Sequence, residues 1–207
     1  MKKTFVLTVL FILPLVVYMF FASGVTNFGR LPILTESVGD LQAFTETERL
    51  EGKITILGFL GSDVASKKGN AFNLNQKIYK PFYEFRDFQI IMVVPEGGEQ
   101  AVSELKKELA SFTDTANWRF VYGQPGQIRE LFTSLRTDLT LDENLATPYV
   151  FIIDKERKLR GRQKDADEGT KYGFNTTSVA DLNNKMKDDV KIILAEYRLA
   201  LKKNQAD

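Results

Sequence analysis

The sequence predicts an α/β domain in which strands and helices alternate before a closing hairpin and a last helix. Three observations predict it. Short apolar runs at 54–60, 89–94 and 149–153 have the length of buried strands and are too short for helices. Between them, apolar residues recur three and four apart, the helical period. The composition, 43% hydrophobic and 27% charged over 207 residues, is that of a globular chain with room for one ordinary domain plus an anchor.

The chain opens with Met-Lys-Lys and the uncharged stretch Thr4 to Val25. As a helix this stretch spans roughly 33 Å at about 1.5 Å per residue, enough for a bilayer core. The basic flank predicts a cytoplasmic N-terminus and an extracytoplasmic body. A cleaved secretory signal ending at Ala22-Ser23-Gly24 is the competing reading, although its apolar region would be shorter. Residues 1–25 are therefore expected as anchor or signal sequence, 26–44 as linker and lead-in, and 45–207 as the folded domain.

Within the lead-in, Leu31 to Leu34 reads as an edge segment and Val38 to Phe44 as a short strand. Gly52 turns the chain into the strand ending at Leu60. Ala71, Leu74, Ile78, Phe82 and Phe85 then lie on one helical face, with Pro81 a local break. Gln89 to Val94 is a buried strand stopped by Pro95 and Gly97-Gly98. Gln100 to Phe112 forms an amphipathic helix through Val102, Leu105 and Leu109. Trp118 to Val121 alternates as a strand, and Ile128, Leu131, Phe132 and Leu135 mark the next helix. Thr147-Pro148 opens the strand Tyr149 to Ile153, which turns at Asp154 to Arg157 into a partner at Lys158 to Arg162. Gln163 to Thr177 reads as a long polar loop, with Asp165 to Gly173 exposed. Ser178, with Asp181 three residues on, starts the last helix, whose apolar face runs from Val179 through Leu201. This order is that of a thioredoxin-like fold, and it fits other mixed α/β arrangements.

Absent residue types restrict function more than any motif. The chain has no Cys and no His. Disulfides, thiol nucleophiles and thiolate metal sites are excluded, as are Ser-His and Cys-His catalysis. Zinc and copper lose their usual ligands. A formal charge of +1 lacks the clustered basic excess of a nucleic-acid binder.

The stretch KITILGFLGSDVASK, followed by WRFVYGQPGQIRELF and YVFIIDKERKLRGR in that order, resembles the Sco/SenC-type proteins, membrane-tethered thioredoxin-fold copper chaperones of cytochrome oxidase. The resemblance covers about Leu31 to Lys202. It implies the thioredoxin-like fold, an extracytoplasmic (periplasmic) compartment and an association with respiratory-oxidase assembly. It also implies a cis Thr147-Pro148 bond beside the active turn. The family's two copper-binding cysteines match Asp63 and Lys67, and its ligand histidine falls near Leu145 to Thr147. The copper chemistry is therefore not implied, and no cofactor is expected.

The candidate partner-binding face is Asp63, Ser66, Lys67, Thr147 and Pro148. Spacing allows an ion pair between Asp63 and Lys67 on a helical turn. Asp63 with Asp138, Asp142 and Glu143 could assemble oxygen ligands for a hard cation such as calcium. The expected function is a non-catalytic, membrane-anchored binding or assembly factor with a protein partner in an envelope or respiratory complex. A carrier using other ligands and an enzyme of unrecognised mechanism are the alternatives.

Overall fold

The computed structural model describes residues 10–19 and 29–204. Residues 10–19 are helical, and among the described residues no helix is long and apolar enough to cross a membrane. The rest of the expected Thr4–Val25 span lies outside the described residues.

The body is built around β2 (Ile54–Leu60), which is buried along its whole length. Its side chains alternate between two cores, as strand pleating requires. Ile54, Ile56 and Leu60 face one cluster, while Leu57 and Phe59 face the other. The parallel neighbours β3 (Phe88–Pro95) and β4 (Trp118–Gly123) lie to one side of β2. On the other side β5 (Ala146–Ile153), β6 (Leu159–Arg160) and the edge strand β1 (Ile33–Thr35) follow, each antiparallel to the strand before it.

Three helices cover the first face. α1 starts at Lys68–Leu74, widens into a π turn at Asn75–Tyr79 and ends at Lys80–Phe82. The predicted break at Pro81 takes this form because proline has no N–H for the Lys77 carbonyl. α2 (Glu99–Ala110) buries Val102, Leu105 and Leu109 as expected. α4 starts at Val179–Asp181, passes a π turn at Leu182–Met186 and runs on through Lys187–Asn204. The opposite face carries α3 (Pro125–Ser134), which buries Ile128, Leu131 and Phe132.

Several expectations are corrected. Val38 to Phe44 is not a strand but leads into a 3₁₀ turn, Leu41–Ala43. The Asp40 carboxylate accepts the Leu41 and Leu50 N–H groups (2.8 and 2.9 Å) and so competes with sheet pairing. Leu31, Val38 and Leu41 are core residues, so the packed body already takes in much of the stretch expected as lead-in. Gln163 to Thr177 is not a loop. It contains the hairpin β7 (Arg162–Asp165) and β8 (Gly169–Lys171), then β9 (Phe174–Asn175) paired with β5. Asp165 and Lys171, expected on an exposed loop, are buried.

Candidate functional site

β2 delivers the chain to a corner at its C-terminal end. Gly61 turns there at φ +70, where a side chain would strike the Asn144 carbonyl. A residue without a Cβ lets the 142–146 loop close onto the turn. The Ser62 N–H donates to the Asn144 carbonyl (2.9 Å) and the Ser62 hydroxyl meets Asn144 Oδ1 (3.2 Å). Across the loop, Asp142 Oδ1 accepts the N–H groups of Asn144 and Ala146 at 2.9 and 2.8 Å. Leu145 adopts φ +63 with its side chain buried, an uncommon conformation for a bulky residue. Leu60 then pairs with Ala146.

Asp63 and Ser66 sit exposed on the following turn. Asp63 Oδ1 accepts the Ser66 N–H (3.2 Å), and the Ser66 hydroxyl donates to the Asp63 carbonyl (3.0 Å). No Asp63–Lys67 ion pair forms, because the carboxylate caps the turn and Lys67 lies beside a pocket. Lys67, Thr147 and Thr176 line that pocket with Gly58, Ala71 and Met92, and its volume is about 20 Å³. That is room for about one water.

Thr147 is only 8% exposed. The Thr147-Pro148 peptide is trans, which corrects the expected cis bond. The Pro148 carbonyl accepts both the N–H (2.9 Å) and the hydroxyl (2.6 Å) of Thr176, so both of its lone pairs are used. Asn73 of α1 donates to the Thr176 carbonyl at 3.0 Å. The five expected residues do gather at one corner. Only Asp63 and Ser66 present themselves fully, while Lys67 and Pro148 are half-buried and Thr147 is sealed.

The positions matching the family's copper ligands do not fit that metal. A carboxylate and an ammonium replace thiolates, and Leu145 to Thr147 offers no imidazole. Among the described residues, no group of three or more acids is arranged to hold a cation. Asp142 is instead committed to its own loop.

A second cluster of charges escaped the sequence reading. Lys171 is fully buried, with Nζ 2.8 Å from Glu168, 3.1 Å from Asp181 and 5.4 Å from the Phe174 ring centroid. Arg162 forks onto Asp189 with two 2.8 Å bonds. Lys185 joins Asp165 and Asp167 at 2.7 and 2.6 Å. Burial pushes Asp189 up despite Arg162; burial also acts to raise Asp165, but Lys185 and the Asp167 N–H outweigh it and hold Asp165 low. Asp181 also accepts the Asn175 N–H (2.7 Å), next to the Thr176 that closes over Pro148. The one local signal for this cluster is Ser178-x-x-Asp181, half of which is realised: Ser178 accepts the Asp181 N–H at 3.1 Å.

Helices on both faces of a sheet of three parallel and several antiparallel strands, with a corner at the C-terminal end of β2, define a thioredoxin-like fold. Solved structures share this fold. A Bacteroides thetaiotaomicron protein assigned as a protein disulfide isomerase superposes with TM-score 0.51 at 15% identity, covering 80% of this chain and 94% of that one. BsSco, a member of the Sco family of cytochrome c oxidase assembly proteins, superposes with TM-score 0.50 at 14% identity, covering 79% and 97%. No protein-family model matches the chain, and no curated protein matches it in sequence.

Proposed function

We propose that this chain is a membrane-anchored, extracytoplasmic Sco-like protein that binds a protein partner in respiratory-oxidase assembly and neither carries copper nor exchanges disulfides. The observation that carries the reading is the corner at the end of β2. It keeps the place of a thioredoxin-fold active turn, yet it has no thiol and encloses about 20 Å³. A pocket of that size holds no small-molecule cargo, so the working part of the corner is its outer surface, Ser62, Asp63 and Ser66. The likeness to BsSco supports the oxidase setting. Exposed apolar side chains along helical residues 10–19, among them Leu10, Phe11 and Tyr18, support the anchor, since a contiguous exposed apolar surface marks a membrane or partner contact.

The test is a pull-down of the tagged full chain from membranes, comparing wild type with Asp63→Arg/Ser66→Tyr. Wild type is expected to recover oxidase subunits or their assembly factors. The variant should lose at least about ten-fold of that recovery, equivalent to about 1.4 kcal/mol. Equal recovery by the two would remove the corner as the binding face.

A further inference from the structure

A second pocket, of about 220 Å³, lies at the other end of β2, beside Ile54. Phe85, 41% exposed, and Tyr197 form apolar walls, and Arg86, Lys155 and Arg198 stand around them with a single acid, Asp87. That acid is already neutralised. Lys155 binds it closely and Lys53 approaches to 3.7 Å. Glu51 and Glu84, both exposed, Glu156, held by Lys158 at 3.0 Å, and Glu196, held by Arg160 at 2.6 Å, are the further acids beside this end in sequence. Arg86 and Arg198 are exposed and have no ion-pair partner among the described residues. We infer that this basic, aromatic-walled pocket docks on an anionic phospholipid surface, with Phe85 entering the interface and the arginines holding headgroup phosphates.

The chemistry fits that occupant. An exposed aromatic, Phe85, flanked by the unpaired Arg86 and Arg198 suits a bilayer interface, where the aromatic reaches the acyl boundary while the cations stay with the phosphates. The tether fits as well. The Leu31 carbonyl accepts from Arg160 Nε at 2.8 Å, and the same guanidinium binds Asp154 (2.9 Å) and Glu196 (2.6 Å). The residues after those two acids, Lys155 and Tyr197, belong to the pocket. From Val25 to Leu31 a chain reaches at most about 20 Å. With Thr4 to Val25 in the bilayer, the pocket therefore lies within reach of the headgroups. Charge selects this face over its neighbour. The β7–β8 hairpin on the other side of Arg160 has Lys185 and Lys171 engaged with Asp167 and Glu168, so these lysines are not free to hold headgroup phosphates. Docking in this way turns the Asp63 corner outward, since β2 holds the two ends about 20 Å apart.

The inference rests on the anchored reading of residues 4–25, and its test separates the two. Because the chain has no cysteine, Glu84→Cys and Ser62→Cys each place one fluorophore, beside the pocket and at the corner. The full-length chain is reconstituted into phosphatidylcholine vesicles with and without phosphatidylglycerol, and quenching by a headgroup spin-labelled lipid is read. Quenching at position 84 should exceed that at 62, depend on phosphatidylglycerol and weaken with salt. Each of Arg86→Gln and Arg198→Gln, exposed changes that leave the fold intact, should reduce the docked population by roughly five-fold. Equal quenching at 84 and 62, or no dependence on phosphatidylglycerol, overturns the docking. A carbonate wash that strips the chain from the vesicles overturns the anchor and the docking together. Retention after the wash without quenching at 84 overturns the docking alone.

Discussion

Asn75 is buried within the π turn of α1 with half of its amide unused. Its Nδ2 donates to Thr113 Oγ1 at 3.3 Å, while Oδ1 has no partner. An unpaired buried carbonyl costs about 1–3 kcal/mol, and a leucine has nearly the same shape. Asn75→Leu should therefore raise stability by about 1 kcal/mol, seen as a higher urea midpoint at unchanged slope. A lower midpoint would mean that the amide is satisfied in solution. The candidate site was legible residue by residue only in part. The exposure of Asp63 and Ser66 is legible because a polar turn after an apolar strand is visible in one dimension. The sealing of Thr147 and Pro148 is not, because it depends on Thr176 and Asn73, which are distant in sequence and join the corner only in the folded chain.

At the scale of elements, the apolar pattern located β2, β3, β5 and α1 to α4, because each buries a face whose repeat is written locally. The β7–β8 hairpin had no such mark. Its residues are charged, and charge reads as solvent exposure until the partners are known. Those partners, Asp181, Lys185 and Asp189, sit on α4. The hairpin is thus pinned to α4 by ion pairs where an apolar contact would be usual. Removing one member of a buried pair costs about 3–5 kcal/mol, because the other is left uncompensated. Lys171→Met, which keeps the apolar stem over Phe174, should destabilise the chain by a few kcal/mol on that scale. Hydrogen exchange should quicken first at Asn175 and Thr176, whose N–H groups depend on Asp181 and Pro148. Since the same stretch closes the corner, the variant should also weaken partner recovery without any change at Asp63.

For the molecule as a whole, these ion pairs make stability depend on pH in a definite direction. Asp87 is held below the ordinary carboxylate range by its hydrogen bond from Lys155, against some burial. Asp165 also ends low, since Lys185 and the Asp167 N–H outweigh the burial that would raise it. A carboxylate with a lowered folded pKa contributes stability that is present above its unfolded value and is lost as pH falls through the folded one. For both residues that window opens below about pH 4. Asp189 runs the other way, because burial raises it, so its part of the stability shrinks as pH climbs past the unfolded value. Acidification from neutrality should therefore leave the midpoint of urea unfolding nearly level until about pH 4, then lower it steeply. Asp165→Asn should flatten that acid limb by up to about one proton in its slope, and Asp87→Asn by less, since its site is more exposed. The two changes touch separate partners, Lys155 and Lys185, so in combination their effects should add. An acid limb as steep in the double variant as in wild type would place the acid-sensitive pairs elsewhere.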